Sequence, residues 1–370
     1  AQMADVTVYT TSGGQIGGAP QDGHISVRNV DELVANNGKH PHDVLVVVMG
    51  NSHFHLPFLD VISLTDCIVI AHDTRMVEFY LSLRDRSGVE QLMLKSKVDL
   101  PSDSLSLPLD EQIADMRLLQ NAGLWEISRR ANGMILHAQS AAQRIHLETG
   151  VLPHLLPFAN QRVPNHDGVE LADRLAARSR LGLDQGSIHI ASFGYIDIRT
   201  KMSDHVLEAA GWLTAWGYRV SLHFVGAATQ TEAEKLTERA RSLGLHGFSI
   251  TGFVTEEVFR DYLLAVDLGV QLRISPLLGV SGPLSDLAAF GTPAVASVGL
   301  AIDVDAPDYI HRLPENISSL IVAEAIEKVL SEGSASKASE LQRVAYLAKK
   351  TPNIYARKLL EYLDSQVKVN

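Results

Sequence analysis

From residue 188 onward, short β-branched runs and amphipathic stretches take turns along the chain, and this alternation is what most constrains the fold. Strands are expected at 188–193, 220–225, 248–250, 268–272 and 294–297. Between them, helices at 203–216 and 231–243 stop at Gly217 and Gly244, the residue type best suited to a left-handed cap. Strands separated by crossover helices pair in parallel, so this half reads as a doubly wound, Rossmann-like α/β unit. The first half follows the same logic less regularly, with strands expected at 6–10, 44–49, 67–71 and 134–137. Helices are expected at 317–330, 340–349 and 353–366.

A chain of 370 residues is too long for one ordinary domain and long enough for two with full cores. The break is expected at 153–167, where Pro153, Pro157 and Pro164 interrupt any helix and polar residues cluster. The expected division is an N-terminal domain over 1–157, a C-terminal domain over 165–345, and a tail over 346–370 that packs back toward the first domain.

Composition narrows the function. Net charge is −11, which argues against the broad basic surface of a nucleic-acid binder and so against nucleic acid as a partner. No apolar run reaches the roughly 18 residues that span a bilayer, and the run Val44–Met49 is strand-length rather than a secretory h-region. The single cysteine, Cys67, precedes Ile68-Val69-Ile70 and reads as a buried structural thiol suited to a reducing compartment, so a cytoplasmic location is expected.

The segment with most chemical content is 271–297. A strand ends in Arg273, a turn of small residues follows through Gly279 and Ser281-Gly282, and a helix is expected from Pro283, where a proline's missing N–H is harmless. Backbone N–H groups over Ser281 and Gly282, with the helix dipole, favour a pyrophosphate there, and Arg273 can neutralise it from the side. After the strand at 188–193, Gly194 leads to Arg199 and Lys201. Ligands of open α/β sheets bind beyond the carboxyl ends of strands, so these cations can converge with Arg273 on one diphosphate. Each taken alone reads as a surface charge.

In the first half, Gly50-Asn51-Ser52-His53-Phe54-His55 follows one strand and His72-Asp73 the next. A histidine with a neighbouring carboxylate can orient a sugar hydroxyl or carry a proton near neutral pH. The chain has 15 histidines, so any one of them reads equally as a bystander. The glycines of 13–18 read as a loose loop rather than a phosphate cradle, because no amphipathic helix follows. Metal-ligand spacings are absent from the sequence.

Taken together, these segments resemble glycosyltransferase family 4, retaining enzymes that use nucleotide-diphosphate sugars. The resemblance rests on Leu222 to Gly226, Thr251-Gly252-Phe253-Val254, Asp267 to Arg273, and Asp286 to Ser297 with its Gly291-Thr292-Pro293 step. In the first half, Gly50 to His55, Ile70 to Asp73 and Ile135 to Ser140 are similar to segments of bacterial members that build surface polysaccharides. It implies the GT-B fold, two Rossmann-like doubly wound α/β domains facing a cleft. It also implies a retaining hexosyltransferase that moves sugar from a UDP- or GDP-linked donor to a glycan or lipid-linked glycan, without cofactor or metal. The lipid-linked case is compatible with peripheral contact at the inner membrane face.

By resemblance, Lys201 and Arg199 meet the donor diphosphate, where the residue reading also places Arg273, Gly279, Ser281 and Gly282, and Gly252, Phe253 and Val254 lie against the base. By the same resemblance His72 faces the sugar or acceptor; from their place after strands, His72 with Asp73 is the candidate for the chemistry, and Asn51, His53 and His55 for the acceptor. The sequence departs from the family in two places. The family's glutamate pair, one on the donor sugar and one on the ribose, falls here on Leu278 and Asp286, and the Val6–Thr10 run stands in the place of the family's second strand. The second departure implies either that a first strand and helix lie outside this chain or that the glycines of 13–18 replace their loop. Two other readings stay open: a non-catalytic GT-B module of a larger protein that binds a nucleotide sugar, glycan or partner protein, and a GT-B enzyme of another type such as a sugar-nucleotide epimerase.

Overall fold

The β-branched runs become parallel strands. The structure, a computed structural model, describes residues 4–11, 25–76, 79, 124–164, 170–274, 279–315, 317–332 and 337–367. The glycines of 13–18 and Leu278 lie outside the described residues. The chain forms two compact units, one of residues 1–157 with 355–370 and the other of residues 158–354.

In the first unit, β1 (Val6–Thr10) and β2 (Ile25–Asn29) make a two-stranded parallel sheet. A second parallel sheet runs β3-β4-β5-β6 from β3 (Leu45–Met49), β4 (Cys67–Ala71), β5 (Gly133–Leu136) and β6 (His154–Leu155). Every residue of β4 is buried, as expected for a parallel strand covered on both faces. The thiol of Cys67 is buried there and its pKa is raised by that burial, so it is a core residue. The terminal helix Pro352–Val367 covers Ile68, Ile70, Ile135 and Leu156 with Tyr355, Leu359, Tyr362 and Leu363, residues spaced along one helical face. The two-residue strand β6 lies inside the proline-rich stretch read as linker, held by the pairing of His154 with Ile135.

The second unit holds β7 (Ile188–Phe193), β8 (Val220–Val225), β9 (Gly247–Ile250), β10 (Leu268–Gln271), β11 (Ala294–Ser297) and β12 (Ile310–Leu313), in the order β12-β11-β10-β7-β8-β9. All neighbours are parallel. This is the Rossmann order: the chain winds outward from β7 to β9, then crosses back to the other side of β7. In sheets of this order ligands are taken beyond the carboxyl ends of the strands flanking the reversal, here β7 and β10. Helices Ser203–Ala215 and Ser319–Glu332 cover one face, while Glu256–Ala265 and Gly282–Phe290 cover the other. The helix Lys337–Lys349, with Tyr346 in the second core, also belongs to this unit. No helix among the described residues is long and apolar enough to cross a membrane.

Candidate functional site

The loop after β7 is shaped to bring a lysine back to the strand end. Asp197 caps the short turn Ile198–Lys201, its carboxylate accepting from the backbone N–H of Arg199 at 2.9 Å and of Thr200 at 3.1 Å. Met202 then adopts the left-handed conformation, φ 52°, and starts the next helix. Gly226 is obligatory: a Cβ on it would lie 2.0 Å from the carbonyl oxygen of Gly194. The Lys201 Nζ lies 3.0 Å from the point a Cβ on Gly194 would occupy, and Cγ of Pro283 lies 3.6 Å from the same point. Lysine and helix start therefore crowd one spot.

The loop after β10 is tied to this turn. The backbone N–H of Ile274 donates to the carbonyl of Thr200 at 3.0 Å, and the backbone N–H of Arg273 donates to Ser297 Oγ at 2.9 Å. Arg273 reaches the carbonyl of Gly279 at 3.4 Å. The two cations feel each other: the Lys201 ammonium is pushed down to about 8, first by burial and then by the charge of Arg273. Lys201 has no ion-pair partner among the described residues. Like charges held close and half-dehydrated disfavour each other, and the carboxylate of Asp197 offsets part of that cost for Lys201. Arg199 is exposed and forms no ion pair among the described residues.

The helix Gly282–Phe290 starts one residue earlier than expected, with Pro283 in its second position. The hydroxyl of Ser281 caps it, accepting from the N–H of Leu284 at 3.3 Å. Together with the proline this removes two of the helix's free donors; the Gly282 N–H makes no hydrogen bond among the described residues, and nothing lies within 4 Å of a Cβ built on that glycine. At the other end of the sheet edge, Gly252 takes φ 69° and Phe253 is 92% exposed, while Val254 packs into the core.

Asp286 has a strong local partner. Its carboxylate is 4% exposed and accepts from Arg162 at 2.9 Å; burial pushes its pKa up to about 6 against the pull of that guanidinium. Arg162 also pairs with Glu256 at 2.8 Å and lies over the ring of Phe259.

In the first unit, the loop after β3 and the residues after β4 meet. Asp73 accepts from the backbone N–H of Asn51 at 2.8 Å, and the Asn51 side chain accepts from the N–H of Phe79 at 2.9 Å. A Cβ on Gly50 would lie 3.0 Å from His55 Nε2 and 3.3 Å from Asp73, so glycine lets both approach. His55 Nδ1 donates to the carbonyl of Val48 at 3.2 Å. The His72 ring is 5.3 Å from that of His137, which donates from Nδ1 to the Leu156 carbonyl at 2.8 Å. Dehydration by surrounding groups and the nearby His55 lower the pKa of His72 against the pull of Asp73, so its imidazole is neutral at pH 7. Asn51, His55, His72 and Asp73 thus share one strand edge, whereas His53 is exposed against Phe54.

No protein-family profile and no curated protein sequence matches this chain significantly. Solved structures do. WaaG, a glycosyltransferase involved in lipopolysaccharide biosynthesis, matches 99% of this chain and 91% of its own, with TM-score 0.60 and 14% identity. The sucrose-phosphate synthase of Thermosynechococcus elongatus matches 99% of this chain and 90% of its own, with TM-score 0.65 and 13% identity. Anabaena HepE, solved in complex with UDP and glucose, matches 98% of this chain and all of its own, with TM-score 0.61 and 17% identity. This chain has the GT-B fold.

Within the GT-B frame, two residues near the candidate sites were assigned no role from sequence. Arg162 falls in the stretch read as linker, where no periodicity marks a residue as structural, and its partner Asp286 is 124 positions away. His137 stands directly after β5, as His72 does after β4, and that parallel placement is the signal that identifies it.

Proposed function

We propose that this GT-B protein is a retaining glycosyltransferase that takes a hexose from a nucleoside-diphosphate sugar, UDP- or GDP-linked, and passes it to a glycan or lipid-linked glycan. The observation that carries the reading is the pairing of Lys201 with Arg273 in the second unit, two cations held together at the strand ends where α/β sheets take their ligands. Breaking the bond between the anomeric carbon and the diphosphate leaves negative charge on the departing oxygen. Cations fixed in advance at that position stabilise the charge without reorganising. The Gly282 N–H adds a donor, and the exposed ring of Phe253 offers a surface on which a base can stack. In the first unit, neutral His72 with Asp73 holds or takes the proton of an acceptor hydroxyl, with Asn51 and His55 beside it. The activity and the known nucleotide ligand of the GT-B neighbours support the same donor class.

The test is calorimetric titration with UDP, GDP and their sugars, followed by hydrolysis and transfer assays. Absence of binding to both diphosphates would sink the reading. The engagement of Asp286 by Arg162, where the resembled family places a ribose-binding carboxylate, favours one alternative, a GT-B module that binds a nucleotide sugar without turnover. Tight binding with no hydrolysis or transfer on any glycan acceptor would select it.

A further inference from the structure

Gln271, the last residue of β10, is 4% exposed, and its side-chain nitrogen has no hydrogen-bond partner among the described residues. A buried amide N–H in that state is disfavoured, and such groups in native proteins ordinarily answer to a water or a ligand. Strand alternation gives its direction. Leu268, Val270 and Leu272 belong to the core under Ser203–Ala215 and Ser319–Glu332, whereas a Cβ on Gly269 would lie 2.4 Å from Leu287 of the helix Gly282–Phe290. Gln271 therefore faces that helix.

Its height follows from geometry. A strand rises about 3.3 Å per residue and a helix about 1.5 Å, so two steps from Gly269 toward the strand's carboxyl end match about four steps from Leu287 toward the helix start. That places Gln271 beneath Gly282 and Pro283. Pro283 is the residue that shares a contact point at Gly194 with the Lys201 ammonium. Across the sheet, Gln271 pairs with Ala296 of β11, and the register with β7 continues from Gly269 and Ala191 to Phe193, so neither flanking side chain offers an acceptor.

We propose that Gln271 is a phosphate-binding residue: its amide N–H donates to an oxygen of the diphosphate held by Lys201 and Arg273. The proposal rests on the donor-site reading above and adds a contact to it. A neutral donor suits this position, because a third cation would sit against two that already repel each other. An anionic oxygen selects the N–H end of the amide.

Gln271→Met and Gln271→Leu test it, each titrated with UDP, GDP, uridine and guanosine, with melting of the ligand-free protein measured alongside. Both variants should melt at or above the wild-type midpoint, since an unpartnered polar group has been removed. Diphosphate affinity should fall about tenfold or more, the scale of a hydrogen bond to a charged group, with nucleoside affinity unchanged. Unchanged diphosphate affinity in both variants overturns the proposal, as does an equal loss for nucleosides. Lower melting of both variants also overturns it, because the amide then has a structural partner. Lys201→Ala in the same titrations separates the two failures. Affinity sensitive to Lys201 but not to Gln271 removes only this contact, whereas a wild-type protein that binds neither diphosphate removes the donor site and this contact with it.

Discussion

Lys201 Nζ and Gly194 are so close that a methyl group on the glycine would sit 3.0 Å from the ammonium. Gly194 also holds φ 93°, which a side chain rarely tolerates. The glycine therefore keeps the space beside the ammonium clear. Gly194→Ala should displace Lys201 and weaken nucleoside-diphosphate binding by about 1.5–3 kcal/mol, the same order as Lys201→Ala or Arg273→Ala, with nucleoside binding little changed. Calorimetry on the three variants checks this; unchanged diphosphate affinity in all three would put the phosphates elsewhere.

The charge on Lys201 makes that affinity depend on pH. In the free protein the ammonium titrates at about 8, so its charge is present below that pH and lost above it. A bound diphosphate favours the charged form. Affinity should fall as pH rises through about 8, and binding above that pH should take up a proton. Titrations in buffers of different ionisation enthalpy measure the uptake. A flat profile between pH 7 and 9 in wild type would contradict the assignment, and Lys201→Met should flatten it.

The pattern of legibility follows from range. Strands β7 to β11 were readable because each is a compact β-branched or apolar run with a helix on either side. The sequence His-Arg inside β12 and Ser-Val-Arg inside β2 breaks such a run, so those edge strands left no signal. Lys201 and Arg273 were readable as a pair because chain order alone puts both after strands at a sheet's carboxyl edge. Arg162 with Asp286 was not, because the pairing joins positions 124 apart, and the unsatisfied amide of Gln271 has meaning only once its neighbours are known.

The Arg162–Asp286 pair predicts an asymmetry between its two members. Burial raises the Asp286 carboxyl to about 6, so its ionisation costs stability as pH rises from the unfolded value of 3.8 through that range. Arg162→Ala removes the charge that offsets this cost and should destabilise by about 1–3 kcal/mol at pH 8, discounted for the partial exposure of Arg162, and less at pH 5. Asp286→Asn should cost less at pH 8, because it removes the buried charge and leaves Arg162 to Glu256. Denaturant unfolding at both pH values measures the order; a larger loss for Asp286→Asn at pH 8 would sink the argument.

A chain of neutral groups crosses the second sheet. His189 Nε2 lies 2.6 Å from the Asp184 carbonyl and must carry its proton there, so its Nδ1 accepts from His223 Nε2 at 2.9 Å. His223 Nδ1 then accepts from the hydroxyl of Ser249 at 2.9 Å. Protonating either ring breaks the chain. Burial lowers both pKa values, that of His223 to about 4 from 6.5, so stability is full above pH 6.5 and lost as pH falls toward 4. The loss should reach about 3 kcal/mol for His223. His223→Gln, which keeps a donor and an acceptor but does not titrate there, should flatten the slope in that window, and an unchanged slope would locate the acid sensitivity elsewhere.

His72 lies beyond the carboxyl end of β4 in the first unit, solvent-accessible, with its pKa lowered by partial desolvation against the pull of Asp73. Its ring stands 5.3 Å from that of His137, whose Nδ1 is tied to a carbonyl and which therefore holds its position. A neutral imidazole backed by Asp73 can take a proton from an acceptor hydroxyl but offers no charge to a diphosphate. His72→Ala should accordingly lower turnover, by about a hundredfold if the ring acts as a general base, while the affinity for UDP or GDP stays within about twofold, the limit set by an untouched donor site. His137→Phe should lower turnover less, because it removes a support for His72 rather than the group itself. Parallel calorimetry and transfer assays on the two variants decide it. Equal losses of donor affinity and turnover in His72→Ala would mean that this histidine serves the donor, and the division of labour between the two units would fail.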